Sequence, residues 1–202
     1  MKVAIILNCP NKSDLSFVTE NKVIYTDGGY AYKNDLKDKT TLAVVGDFDT
    51  LKKIPEGENV VRLEREKNFT DGERAVYYAK QTGAQEVCIY GAFGGKPEHI
   101  LGNLTLLKIA QKIGLSASIK YGGRVMKLLT VGDYEFNVKN GGSVSLIPTG
   151  ENASLGKSEG LYYQTDSVEL TPFDTRGISN LAENEKISVS IKSGEVYIIY
   201  EY

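Results

Sequence analysis

The sequence predicts an α/β protein: an N-terminal domain built on a parallel sheet, then a C-terminal antiparallel β-sandwich. Three observations carry this reading. Up to about residue 116, short and nearly continuous apolar runs alternate with helical patterns, as strands buried on both faces and their covering helices do. Beyond about residue 117 the runs alternate with period two and are punctuated by glycine-bearing turns, with no helical pattern between them. The chain's 202 residues, 41% hydrophobic and 25% charged, suffice for one large domain or two small ones with an ordinary core.

The first strands are read at residues 3–7, 23–26, 42–45, 60–63 and 87–90. Two helices follow from spacing. One runs over 71–82 and stops before Gly83. The other runs over 98–113 and stops before Gly114, with Ile100, Leu101, Leu104 and Leu107 on one face. In the second half, strands are read at 119–121, 126–130, 134–138, 143–148, 167–170, 186–191 and 196–200. Turns such as Gly122-Gly123 and Asn140-Gly141-Gly142 separate them. The change of pattern sets the domains at 1–118 and 119–202.

Composition removes several function classes. Lys and Arg number 24 against 26 Asp and Glu, a net charge of −2, so no basic face points to nucleic acid. No apolar run approaches the length of a membrane span, and the N-terminus reads as a first strand rather than a signal peptide. The two cysteines, Cys9 and Cys88, lack metal-ligand spacing and suit a reducing, cytoplasmic setting. His99 is the single histidine, which argues against histidine metal sites and Ser-His or Cys-His nucleophiles.

The polar motifs stand where the first five strands end. They are Asn8-Cys9-Pro10, Asp27-Gly28-Gly29, Gly46-Asp47-Phe48-Asp49-Thr50, Arg65 to Asp71, and Gly91 to His99. In an open parallel sheet these ends share one edge, where ligands bind. Asp47 and Asp49, one residue apart on an extended turn, can face one cation, and hard carboxylate oxygens suit Mg²⁺ together with substrate phosphates. Gly28, Gly29, Gly94 and Gly95 would let backbone amides approach phosphate oxygens, with Lys67 and Lys96 offsetting their charge. Thr70 begins a capping box with Glu73; Asp71 in that first turn suits the helix dipole and is a further candidate for the metal. Pro97-Glu98 is a good helix start, and His99 is either a substrate contact or a packed helix residue.

In this order and over nearly the full length, the segments resemble thiamine pyrophosphokinase. They include Glu66-Lys67-Asn68-Phe69-Thr70-Asp71 and the run from Gly94 to Asn103. Farther on come Gly160-Leu161-Tyr162-Tyr163 and Gly177-Ile178-Ser179-Asn180. The resemblance implies pyrophosphoryl transfer from ATP to the thiamine hydroxyl, with Mg²⁺, in a homodimer that binds thiamine between subunits. It implies that Asp47, Asp49 and Asp71 are metal and pyrophosphate carboxylates. Asp27, Gly28, Gly29, Lys67, Thr70, Gly95, Lys96, His99 and Asn103 then lie on the ATP side, and Ser179 and Asn180 on the thiamine side. Departures from the family pattern are Asn68 and Glu98 where Asp is usual, Lys96 where Arg is usual, and Thr50 for Ser. Lys96 keeps the charge without the bidentate fork. With no Trp in the chain, a Tyr or Phe would have to stack on thiamine.

The expected reaction is in-line attack by a primary hydroxyl on the β-phosphorus of ATP, releasing AMP, with Asp71 or Glu98 orienting the hydroxyl. Competing readings are a pyrophosphokinase for another alcohol such as a hydroxymethyl pterin, and a decayed nucleotide- or thiamine-binding protein. A haloacid-dehalogenase-like phosphatase loop fits poorly: Leu51 stands where Thr or Val is required, and the loop follows the third strand rather than the first.

Overall fold

The first strand, β1 (Lys2–Ile6), exposes Lys2 and buries the four residues after it, and β2 (Lys22–Thr26) repeats the pattern. Burial of successive residues means that both faces of these strands are covered, as their apolar runs require. The protein is described by a computed structural model at residues 1–8, 11–51, 54–63 and 69–202. It divides into two units, Met1–Gly122 and Gly123–Tyr202.

The first unit adds β3 (Thr40–Gly46), β4 (Val60–Arg62), β5 (Glu86–Tyr90) and β6 (Ser116–Tyr121), all paired in parallel in the order β4-β3-β2-β1-β5-β6. Strand order reverses between β1 and β5, the point at which open sheets of this kind leave a crevice beyond their carboxyl ends. Helices α1 (Asp71–Gln81) and α2 (Pro97–Lys112) agree with the periodicity to within a residue or two. Helix α1 packs on β1, β2 and β3, while α2 packs on β6. An apolar cluster forms on the alternate strand residues Ala4, Ile6, Val23, Tyr25, Val44, Cys88 and Tyr90, and takes in Leu15, Val18, Leu36 and Phe48. It is covered partly by two 3-10 helices, Lys12–Phe17 and Gly28–Leu36, which the sequence did not signal. Cys88 is buried in this cluster, and burial pushes its thiol up to about 11, so it is an inert core residue.

The sequence reading ended the first domain at 118, inside β6. That strand pairs with β5 through Lys120, and these backbone bonds carry the first unit to the Gly122-Gly123 turn. Both glycines have positive φ, +53° and +76°, where a side chain would be strained.

The second unit is antiparallel. One sheet has the order β12-β9-β14-β7 and the other β11-β10-β13-β8. Their strands are β7 (Arg124–Leu129), β8 (Gly132–Asn137), β9 (Ser143–Pro148), β10 (Ala153–Glu159), β11 (Glu169–Leu170), β12 (Asn180–Leu181), β13 (Lys186–Ser193) and β14 (Val196–Glu201). Inward residues of both sheets, including Val144, Leu146, Leu155, Ile187, Val189 and Ile198, make one core, which defines a sandwich. Strand β10 escaped the sequence reading because its Ala-Ser-Leu-Gly-Lys-Ser-Glu run has little apolar alternation, and its pairing with β13 shifts register twice. Among the described residues, no helix is long and apolar enough to cross a membrane.

Candidate active site

Strand β2 delivers Asp27 to the carboxyl edge of the first sheet, where it is almost fully buried. Its two oxygens accept from the backbone N–H groups of Thr50 at 2.9 Å and Leu51 at 3.0 Å. A buried carboxylate with two such bonds is held in one place. The glycines after it are packing requirements. A Cβ on Gly29 would lie 2.0 Å from the Ile6 carbonyl oxygen, and one on Gly28 would lie 2.8 Å from Asn8 Cγ. Both glycines are buried against the end of β1, where the close approach of two chain segments leaves no room for a side chain.

At the end of β3, Gly46 has the same character. Its missing Cβ would stand 2.6 Å from Asp27 Cβ and 3.1 Å from Asp71 Oδ2. Asp47 follows, half-buried, and then Phe48 takes the left-handed conformation at φ +62° with its ring in the core. A non-glycine residue pays of order 1 kcal/mol for that geometry; burial of the phenyl ring offsets it. The third contributor is the first turn of α1. Thr70 caps that helix, its hydroxyl oxygen accepting from Glu73 N at 3.1 Å, which brings Asp71 to the sheet edge. Gly72 lets α1 sit close, since a Cβ there would meet Leu7 Cδ2 at 3.1 Å and Leu106 Cδ1 at 3.2 Å.

The result is a group of three carboxylates. One oxygen each from Asp27, Asp47 and Asp71 lies within 4.8 Å of the others. Hard oxygen donors converging in this way fit a small divalent cation such as Mg²⁺. Of the metal set read from sequence, Asp47 and Asp71 belong to this group, but its third member is Asp27 and not Asp49. The reason is the backbone at Phe48. Residues i and i+2 share a face on an extended chain, whereas a left-handed residue between them turns the second away. Asp49 is accordingly exposed, with its Oδ1 accepting from the Thr50 hydroxyl at 3.1 Å.

The loop after β5 reaches α2 through Gly94 and Gly95, at φ +94° and +77°. Lys96 occupies the N-cap position of α2 without a side-chain capping bond, and Lys96, Glu98 and His99 are all exposed, so the alternative of a packed histidine does not hold. Asn103 donates from Nδ2 to the Ala92 carbonyl at 2.9 Å, tying α2 to this loop. Lys67, with Glu66 and Asn68, lies outside the described residues.

In the second unit, a cavity of about 470 Å³ is lined by Leu146, Leu155, Tyr162, Tyr163, Arg176 and Asn180 among others. Tyr162 and Tyr163 are 58% and 66% exposed and meet edge-on, with ring centroids 4.8 Å apart. Ser179 lies next to Asn180 at φ +62° and donates its N–H to Ser145 Oγ at 3.0 Å. The resemblance marks the segment Gly160-Leu161-Tyr162-Tyr163, but neither a cavity role for its tyrosines nor Arg176 is legible in the sequence. Their gathering depends on how the strands of the sandwich pair.

Residues 16–118 match the family model described as thiamin pyrophosphokinase, catalytic domain. A thiamine pyrophosphokinase of Bacillus subtilis is 24% identical over 161 residues, covering 76% of this chain and 75% of that protein. Among solved structures, the thiamine pyrophosphokinase of Bacillus subtilis superposes with a TM-score of 0.83 at 22% identity, over 100% of this chain and 99% of the other. That of Geobacillus thermodenitrificans gives 0.83 at 22% identity, over 100% and 98%. The enzyme from Candida albicans gives 0.79 at 16% identity, over 99% and 89%. These likenesses show the same fold across the whole chain.

Proposed function

The chain belongs to the thiamin pyrophosphokinase family, and from that premise we propose that it transfers the pyrophosphoryl group of ATP to the hydroxyl of thiamine, yielding thiamine diphosphate and AMP. The observation that carries the mechanism is the convergence of Asp27, Asp47 and Asp71 over Gly46. These three residues would hold Mg²⁺, which when bound supplies charge neutralisation to the polyphosphate. Asp49, exposed beside them and oriented by Thr50, stands on the nucleotide side. Lys96 and the amides of the Gly94-Gly95 turn, at the start of α2, supply positive potential for phosphate oxygens, and Asn103 holds that turn to the helix. His99 lies on the same exposed first turn.

The hydroxyl of the acceptor attacks the β-phosphorus in line, its proton leaves, and the α–β bridging bond to AMP breaks. Of the two carboxylates expected to orient the hydroxyl, Asp71 belongs to the proposed metal group, which favours Glu98 as the one that accepts its proton. The cavity of the second unit takes the acceptor. Its tyrosine faces suit a positively charged heteroaromatic ring. The exposed apolar side chains Tyr162, Tyr163, Phe173, Ile178 and Leu181 support a homodimer in which a second copy covers this surface and completes the site. A pterin alcohol as acceptor is the weaker reading, because the family match and the relatives are thiamine enzymes.

The test uses single Asp→Asn changes at 27, 47 and 71. Wild-type protein with ATP, thiamine and Mg²⁺ is expected to release AMP, and each variant to lose that release. Mg²⁺ at ~100-fold over its Kd stabilises a one-site protein by ~2.7 kcal/mol, or roughly 5–10 °C in Tm for a chain of this size. That shift is expected to vanish in all three variants. A Mg²⁺-dependent shift that survives in Asp27→Asn would remove Asp27 from the site.

A further inference from the structure

The strand pairing of the sandwich ends one residue short of Tyr163, and a side chain completes it. Leu161 forms an isolated antiparallel bridge with Ala182, and Tyr162 N–H donates to the Leu181 carbonyl at 2.9 Å. At the next position the partner is the side-chain amide of Asn180. Its Oδ1 accepts from Tyr163 N–H at 3.0 Å, and its Nδ2 donates to the Tyr163 carbonyl at 2.7 Å. The same Oδ1 also accepts from Leu181 N–H at 2.8 Å. One carboxamide thus replaces a peptide unit and holds both backbone groups of Tyr163.

The support for Asn180 is rigid in turn. Asn180 pairs with Val144 of β9, Leu146 N–H donates to the Gly177 carbonyl at 2.8 Å, and Ser179 N–H donates to Ser145 Oγ at 3.0 Å. A Cβ on Gly177 would fall 1.9 Å from the Leu146 carbonyl oxygen, so this segment lies directly on β9. Beyond the clamp, the Tyr163 ring itself is exposed at the cavity. The ring meets that of Tyr162 edge-on, with centroids 4.8 Å apart, while the backbone beneath it is held by the Asn180 amide.

We infer that Asn180 is a positioning residue that fixes Tyr163 at the mouth of the cavity and acts on the acceptor through that ring, rather than by touching the acceptor itself. This rests on the reading of the cavity as the acceptor site. The consequence is non-additivity. If Asn180 works only through Tyr163, removing the ring leaves the clamp nothing to position.

The experiment is a double-mutant cycle with Asn180→Ala, Tyr163→Ala and the pair, assayed by AMP release with thiamine and ATP varied separately. Each single variant is expected to raise the KM for thiamine about tenfold, the equivalent of ~1.4 kcal/mol, with the KM for ATP unchanged. The double variant is expected to match Tyr163→Ala. Multiplying effects in the double variant, or an unchanged thiamine KM in Asn180→Ala, would overturn the proposal. Asn180→Asp sets a carboxylate oxygen against the Tyr163 carbonyl where the Nδ2 donor stood at 2.7 Å, so its thiamine KM should also rise. The clamp is read separately by amide hydrogen exchange, where Asn180→Ala must speed exchange at Tyr163; unchanged protection there would sink it. Failure of the wild-type chain to release AMP with thiamine would instead overturn the parent reading, and the exchange result would still decide the clamp.

Discussion

Replacing Gly46 with alanine tests the carboxylate group through a residue that bears no functional atom. The new Cβ would sit 2.6 Å from Asp27 Cβ and 3.1 Å from Asp71 Oδ2. Ordinary carbon contacts lie near ~3.5–4.0 Å, so Asp27 must move by about 1 Å. Overpacking of this kind costs about 1–3 kcal/mol. Moving Asp27 also strains its bonds to Thr50 N–H and Leu51 N–H, and bonds to a charged group are worth ~1.5–3 kcal/mol each. With those bonds stretched rather than lost, the expected destabilisation is about 2–5 kcal/mol, or roughly 5–15 °C in Tm. A displacement of ~1 Å in a positioned site can cost ~100-fold in rate, so AMP release should fall by that order. Half-saturation by Mg²⁺ should shift to higher concentration. The assays are thermal unfolding with and without Mg²⁺, and AMP release across a Mg²⁺ titration. Gly102→Ala is the control. Among the described residues nothing beyond its own helix turn lies within 4 Å of an added Cβ on α2, and helix propensity predicts a gain of ~1 kcal/mol. A Gly46→Ala protein with wild-type Mg²⁺ half-saturation and rate would refute the placement of Asp27 and Asp71 around one ion.

Two further predictions concern strain and buried charge. Phe48 sits at φ +62°, so Phe48→Gly should be more stable than Phe48→Ala by about 1 kcal/mol in urea unfolding, the reverse of the usual order in helices; equal stability would deny the left-handed turn. Asp14 is fully buried; burial pushes its carboxyl above the ordinary range, against the N–H of Gly122, and among the described residues its Oδ2 has no hydrogen-bond partner. A raised folded value means that the folded state holds the proton longer than the unfolded chain does. Stability is therefore lost as pH rises from the unfolded value of ~3.9 through the raised one. The stability of Asp14→Asn relative to wild type should rise with pH across that window, measured by urea unfolding at several pH values. A pH-independent difference would show that Asp14 does not titrate as its burial requires.

Periodicity determined most of the fold. The five apolar runs of the first half and both helices needed only local spacing, because a strand buried on two faces and an amphipathic helix write their environments into consecutive residues. The same locality explains why Thr70 could be read as a cap. Elements whose stability comes from distant partners left no such trace. Strand β10 is held by β11 and β13 despite a polar sequence, and the 3-10 helix at Gly28–Leu36 depends on glycines that pack against β1. The membership of the carboxylate group belongs to this second kind. Spacing alone put Asp47 and Asp49 on one face, as an extended chain would. Tertiary structure decided otherwise: the core takes the Phe48 ring, the backbone inverts to deliver it, and Asp49 swings out while Asp27 arrives from a strand 20 residues earlier. Likewise the sequence marked Asn180, yet only the pairing of β12 with β9 shows its amide turned to the backbone of Tyr163. A side chain's direction is fixed by what packs around its backbone, and that is the information a linear pattern does not hold.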